Sequence, residues 1–451
     1  MLLQLLTIAR NTFIESVRQP VLFLLVMLSG LFQLFNTWNT GFSMGEETTG
    51  NLTGDNKLLF DVGLSTIFVV GTLLAGFIAT AVMSREIENK TVLTIVSKPV
   101  SRVVLVLGKY AGVVGAILAA VLVMIIFLLM GLRHGVMSTA ADDLDGPVLT
   151  FTLGAVALAV AVAGWCNFFY GWSFPQTAMT LLVPLMVGAY ILVLFISPRW
   201  KIQHFSHDLN SQVLMAAATL TVAILVLTAV ATAASTRLGQ VMTIVVCCAV
   251  FLGALLSNHF IGRFVFNNQS IGVIKKVTAD DPERADFKRS GDTLDIELAQ
   301  PSPVTIPVKS PFYFAPTPNG YPMFCEDFKP FSGDLDNAND ILGAQAPSSL
   351  VVAKADRQHL RVRNVGGQPV AVTRAPEKGD YVFLAPTRVN TPALAVWAAI
   401  PNLQFFWLLD PVSQNRPIPP DYVLWVCCYG LTEIGACLSL AVLLFQKRDV
   451  G

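Results

Sequence analysis

The residues best placed for chemistry are charged ones set between or inside long apolar runs. Ser84 to Arg102, SREIENKTVLTIVSKPVSR, is the most densely charged short loop, and it lies between the apolar runs Phe60 to Met83 and Val103 to Met130. Each run exceeds the ~20 residues a helix needs to cross a bilayer, so the loop joins two membrane spans. Within it Ser84 can cap a helix, Glu86 falls in the first turn where the helix dipole favours an anion, Glu86 and Lys90 stand four apart in the better orientation, and Pro99 stops the helix. Ile87, Thr91 and Ile95 then share one stripe, with Glu86 and Lys90 off it. A short surface helix of this kind offers a mixed face to a partner, so its chemistry is docking.

Other candidates carry less. Glu433 is the one acidic residue deep in a span, near the middle of Tyr422 to Phe445. Burying a carboxylate there costs about 2.5 kcal/mol or more, so it is protonated, paired or facing a polar cavity. It reads equally as the wall of a polar path or a contact between two copies, and as a neutral acid bonded to Tyr429 or a neighbouring helix. His204, His207 and Asp208 lack a thiolate or third fixed ligand and read as solvated, so no metal site is expected. No catalytic residues are expected either, since Ser, His and Asp elsewhere show no spacing that suggests a nucleophile and its base. Gly108-Lys109 lacks the upstream glycine and the following hydroxyl of a phosphate loop, and Gly366-Gly367 is followed by Gln368. The chain therefore has no nucleotide-binding motif of that type, and any ATP-derived energy would come from another polypeptide.

The surrounding composition is that of a membrane protein. Of 451 residues, 54% are hydrophobic and 13% charged, against about 25% charged in soluble domains; mean hydropathy is +0.61. The formal net charge is zero, so charge gives no argument for nucleic acid. Cys166, Cys247, Cys248, Cys427, Cys428 and Cys437 fall in apolar spans and only Cys325 in a polar region, which is no disulfide framework.

Taken in order, residues 1–20 read as an interfacial helix: Leu6, Ala9, Phe13 and Val17 recur at helical spacing opposite Thr7, Asn11, Glu15 and Arg18, and Pro20 turns the chain. Residues 21–258 hold spans one to seven, with the loop 84–102 between the second and third. Gly108, Gly112 and Gly115 near the start of the third have the spacing that lets two helix backbones pack closely. The Ser235-Thr236-Arg237 turn and the Gln446-Lys447-Arg448-Asp449 tail mark the inside, which places 84–102 inside and His259 to Asp421 outside. Arg199 and Lys201 sit in an outer loop where basic residues are disfavoured. The count is therefore about eight spans, or about six plus a re-entrant hairpin over Val148 to Ile196. The segment 259–420 is polar, proline-rich and long enough to fold alone. Its later half reads as strands at Leu350 to Val352, Leu360 to Val362, Val370 to Val372 and Tyr381 to Leu384, with Asp334 to Ser349 as loop. Ala393 to Leu409 reads as an outer surface helix, 393–409, with Trp397 and Trp407 at headgroup level, because Pro401-Asn402 interrupts it. Residues 421–451 are the last span and its tail. The expected fold is an α-helical polytopic membrane protein with an inserted β-rich extracytoplasmic domain.

REIENKTVLTIVSKPVSR followed by VVLVLGKYAG resembles the loop between the second and third spans of type-2 ABC transporter permeases, the ABC-2 family. The likeness rests on Arg85, Glu86, Glu88, Thr91, Ser97, Lys98, Pro99, Arg102, Gly108 and Lys109; it departs at Lys90, where the family more often has glycine, and in the extra pair of spans. It covers the N-terminal third well, the region around Ser235 and the C-terminal end weakly, and the outer domain not at all. The resemblance implies a coupling helix that contacts a separate cytoplasmic ATPase through Arg85, Glu86, Ile87, Glu88, Lys90, Thr91, Ile95, Lys98, Pro99 and Arg102. It also implies ATP and magnesium on that partner rather than a cofactor here, and a second permease copy, as homodimer or heterodimer. The setting is the lipid of the cell membrane, the inner membrane in a Gram-negative bacterium. The function implied is the permease subunit of an ATP-driven exporter. The alternative is a membrane-anchored binding or signal- or force-transmitting protein whose outer domain is the working part.

Overall fold

A computed structural model describes residues 1–39, 54–88, 101–136, 144–280, 287, 289–318, 331, 333–335, 337–343, 349–365, 375–409, 412 and 418–446. In chain order the helices are α1 Leu2–Val17, α2 Pro20–Asn39, α3 Gly54–Glu88, α4 Arg102–His134, α5 Gly146–Tyr170, α6 Phe174–Phe195, α7 Ser211–Ser235 and α8 Gln240–Ser257. Strands follow: β1 Phe266–Asn267, β2 Ser270–Ala279, β3 Thr293–Leu298, β4 Tyr313–Ala315, then helix α9 Ala338–Gly343, β5 Ser349–Ala355, β6 His359–Val365, β7 Tyr381–Phe383 and β8 Arg388–Val389. Helices α10 Thr391–Ala398 and α11 Pro420–Gln446 complete the described chain. It divides into two compact units, Met1–Gly253 with Leu403–Gly451, and Ala254–Asn402.

Among the described residues, eight helices are long and apolar enough to cross a membrane: α2 to α8 and α11. The re-entrant alternative gives way here, because α5 and α6 have 25 and 22 residues, each enough for a full crossing. Their connection is a tight reversal. Gly171 takes the left-handed conformation (φ 67°) and its N–H closes on Asn167, while the Trp172 N–H closes on Cys166, the end Gly permits without a Cβ penalty. Pro175 then opens the next helix in its first turn, where no N–H is needed.

Contacts fix the direction of most of the spanning helices. Arg18 Nε donates to Gln176 Oε1 at 2.8 Å, and Phe23 meets Phe174 edge to face, so α2 and α6 start at one end. Lys109 Nζ donates to the Val82 carbonyl at 3.2 Å, placing the end of α3 beside the start of α4. Arg102 and Arg237 reach the last carbonyls of α11, which puts the ends of α7 and α11 there too. Helices α2, α4 and α6 therefore run one way and α3, α5, α7 and α11 the other, the alternation a polytopic bundle requires. Helices α3, α4 and α7 are largely buried, whereas α5, α8 and α11 turn most of their surface outward.

The second unit carries a six-stranded antiparallel sheet in the order β4-β7-β2-β3-β6-β5 and a small β1-β8 pair. Leu294 pairs with Val362 and Ile296 with Leu360, and these side chains join the core with Ile274, Leu298, Val352 and Phe287. Asp295 and Arg361 pair between them on the other face, the alternation of a sheet buried on one side. Strands β5, β6 and β7 fall over the expected segments Leu350 to Val352, Leu360 to Val362 and Tyr381 to Leu384; the expected strand Val370 to Val372 and the Gly366-Gly367 turn lie outside the described residues. Within Asp334 to Ser349, expected as loop, Asn337 starts the short helix α9, accepting the Asn339 N–H on its side chain, and Leu335 and Ile341 bury against Val351 and Val365.

The segment 393–409 is not one helix. Helix α10 ends at Ala398, and Leu403–Phe406 forms a separate 3-10 turn, split by Pro401 and Asn402. Trp397 Nε1 donates to Asn258 Oδ1 at 3.1 Å in the second unit. In the first unit, Trp407 stacks on Phe68 and the Phe406 carbonyl accepts from Thr219 Oγ1 at 3.1 Å. The unit boundary consequently falls at Asn402, ahead of the last span.

Candidate functional site

The expected docking loop has two roots. On the first, α3 stays helical through Arg85, Glu86, Ile87 and Glu88, beyond the span Lys57–Val82; the side chains of these four lie outside the described residues, as do Lys90, Thr91, Ile95, Lys98 and Pro99 altogether. The second root is described. Ser101 caps α4, its Oγ accepting from the Val104 N–H at 3.3 Å. Arg102 donates to the carbonyls of Phe445 at 3.2 Å and Gln446 at 2.7 Å, its guanidinium 5.8 Å from the centre of the Phe445 ring. A cation at the carbonyl end of a helix both satisfies acceptors and meets the negative end of the dipole. Arg237 Nε does the same for Leu444 at 2.9 Å.

The glycine stripe faces α1. A Cβ on Gly112 would lie 2.4 Å from the Ala9 carbonyl oxygen and 2.5 Å from Thr12 Cβ; on Gly108, 2.9 Å from Ile8 Cγ2; on Gly115, 3.1 Å from Phe13 Cδ2. Residue numbers rise together on both helices, so α1 runs alongside the first turns of α4 in the same direction. Its face toward α4 includes Ile8, Ala9 and Thr12, while Leu6 points outward. Lys109, only 4% exposed, ties the same stretch of α4 to α3. One short length of helix directly after the loop thus touches α1, α3 and α11.

At the opposite end lies a charge cluster that the sequence did not reveal. Arg133, in the last turn of α4, stands 3.4 Å from Asp145 and 3.2 Å from Asp208, and donates to the carbonyls of Val193 and Ile196. Asp145 also caps α5 through the Val148 N–H at 3.0 Å. Asp208 accepts from Gln203 Nε2 at 2.5 Å and meets His207 Nδ1 at 2.8 Å. Burial pushes the Asp208 carboxyl up, but the bonds from His207 and Gln203 and the Arg133 charge outweigh it and hold the group below its ordinary value. His204 turns to Ser206 at 2.8 Å instead, and no cluster fit for a metal occurs among the described residues. The only advance signal was a basic residue at the end of an apolar helix, which fits the dipole but names no partner.

Glu433 is half-buried on α11 and hydrogen-bonded to Tyr429 one turn earlier, with Phe405 and Phe406 packed on that tyrosine.

Comparison with curated proteins and with solved structures returned no match. Residues 6–166 match the model of the ABC-2 family transporter protein. That stretch runs from α1 through most of α5 and includes the loop 84–102 with both its roots, the glycine stripe and Arg133. With eight helices long and apolar enough to span among its described residues, the chain reads as a multi-pass membrane protein whose residues 6–166 are similar to the ABC-2 family transporter protein.

Proposed function

We propose that this chain is the membrane-spanning subunit of an ATP-driven exporter in the cell membrane, working as a pair of permease copies driven by separate cytoplasmic ATPases that dock on the loop 84–102. The observation that carries this reading is the second root of the loop. A push delivered there meets Arg102 on α11, Lys109 on α3 and the glycine stripe on α1, and so reaches three elements within a few turns of α4. Closure of the nucleotide-loaded ATPases would tilt these helices and change access to a path between the two copies. ATP and magnesium belong to the ATPase. Purifying the intact protein in mild detergent should bring an ABC-type ATPase with it. Glu86→Lys combined with Glu88→Lys should abolish that co-purification while leaving membrane insertion intact; unchanged recovery of the ATPase would overturn the reading.

A second reading is supported by the compact fold of Ala254–Asn402, which has its own sheet and core. In that case this unit is the working part, binding a partner or relaying force, and the spans hold it. Vesicles containing permease and ATPase separate the two: ATP-dependent accumulation of a compound supports export, and its absence across a substrate panel favours relay.

A further inference from the structure

We infer that the space between α2, α4 and α5 is a binding site for a membrane lipid whose apolar chain bears a hydroxyl a few bonds below its head. This goes beyond the export reading and does not depend on it. The cavity measures about 170 Å³, and its wall is almost wholly apolar, with Leu34, Phe127, Met130 and Leu149 among its residues. Helix α5 packs chiefly on α6, so helix packing leaves this space beside α2 unfilled.

Two of the lining residues carry a buried polar atom left without a partner. Gln33 is 4% exposed, and among the described residues its Oε1 has no hydrogen-bond partner; neither has Thr152 Oγ1, also buried. The Gln33 amide orientation is set by its other half. Nε2 donates to Ser29 Oγ and to the Met124 carbonyl, each at 3.2 Å, and a flipped amide would turn oxygen against oxygen at Met124. The open group is therefore an acceptor that needs a donor. The Thr152 hydroxyl can donate in turn, and both residues line one cavity of about 170 Å³, so the inferred ligand hydroxyl gives its proton to Gln33 and accepts that of Thr152. A plain acyl chain would leave the Gln33 oxygen buried and unmet.

Position identifies the source. The ends of α2 and α4 and the start of α5 lie at one face, and Trp38, His134 and Leu144 stand at that mouth. From there the lining descends α2 to Met27, roughly 17 Å along the helix, about half of a ~30 Å hydrocarbon core. Gln33 lies roughly 7 Å below Trp38. A chain entering from one leaflet thus reaches the polar pair a few bonds beneath its head.

The test uses the full chain in detergent and native mass spectrometry with two matched probe pairs: 3-hydroxytetradecanoic against tetradecanoic acid, and a glycerophospholipid carrying each chain. The hydroxylated member should bind at least tenfold more tightly in one pair or both, and the pair that discriminates tells a free fatty acid from a lipid. Thr152→Val, which removes no side-chain bond among the described residues, should erase most of that preference and spare binding of the plain chain. Gln33→Leu should do the same, with elution as a single species as the check on folding. Equal binding of hydroxylated and plain probes, as a water molecule held between Gln33 and Thr152 would give, overturns the proposal, and so does a preference that survives Thr152→Val.

Discussion

The two ends of the helical unit are held by different chemistry. At the loop end, Arg102, Arg237 and Lys109 donate to main-chain carbonyls of α11 and α3, and α1 lies on α4 through a glycine stripe. At the far end, Arg133 meets two carboxylates, Asp145 and Asp208, and two carbonyls besides, in a setting where it is nearly buried. A bond to a helix-end carbonyl is local and survives a small slide, because the next carbonyl lies one residue away. A nearly buried cation shared by one buried anion, Asp145, and one partly buried anion, Asp208, is harder to replace, since displacement strands a charge. The contrast suits a bundle that is moved at one end and fixed at the other.

The largest break in that contrast should come from Arg133→Met. It leaves Asp145 and Asp208 without their cation, at a cost of about 3–5 kcal/mol, and frees the carbonyls at the end of α6. Thermal unfolding in detergent, followed by tryptophan fluorescence, should show a much lower midpoint; a shift no larger than that of a surface control would mean the cluster holds nothing. Next is Gly112→Ala at the other end. The new methyl would sit against the Ala9 carbonyl and Thr12, backbone and a short side chain that cannot swing aside, and the expected loss is about 1–3 kcal/mol. Gly115→Ala meets only the Phe13 ring edge, so it should cost less; the reverse order would show that α1 does not rest on α4 through this stripe.

Acid separates the ends further. The Asp208 carboxyl is held below its ordinary value in the folded protein, so the stability it contributes is complete above the unfolded value of about 3.9 and is lost as pH falls through the folded one. Unfolding midpoints should drop below about pH 4, and Asp208→Asn should flatten that drop. The carbonyl clamps at the loop end contain no carboxylate in the contacts described and should contribute no slope of this kind.

How much of this was legible depended on the range of the signal. Spans declare themselves through about twenty consecutive apolar residues, and Arg237 with the charged tail marked one end before any helix was seen; the clamp on α11 joins those marks in space. Strand β5 showed a short run of apolar residues, Leu350 to Val352, and β6 showed alternation. Strand β2 did not, because a register shift between Ile274 and Lys276 moves side chains across the sheet and puts Lys275 and Lys276 side by side, which breaks the two-residue period. The Arg133 cluster was hidden for another reason. Its members stand at positions 133, 145 and 208, on two helix ends and a loop, and only the fold brings them together. Gln33 and Thr152 lie in separate spans far apart in sequence, and only packing brings them to the wall of one cavity.

The smallest effect predicted is at Arg102, and it is the most telling for the comparison. Removing its charge by Arg102→Gln takes a cation from the dipole end of α11 and two bonds from its carbonyls, yet water at a half-exposed helix end can replace them, so stability should fall by only about 0.3–1 kcal/mol. Transmission through this contact is another matter. If the second root of the loop passes its displacement to α11, ATP turnover by the docked ATPase should become uncoupled, continuing near its normal rate while α11 no longer moves. A spin-label pair on α4 and α11 would then keep one distance with and without nucleotide, where the unaltered chain shows two. Equal distance changes in both proteins would place the link elsewhere, on the α1 stripe or on Lys109, and the two ends of the bundle would differ in how they are held but not in what they transmit.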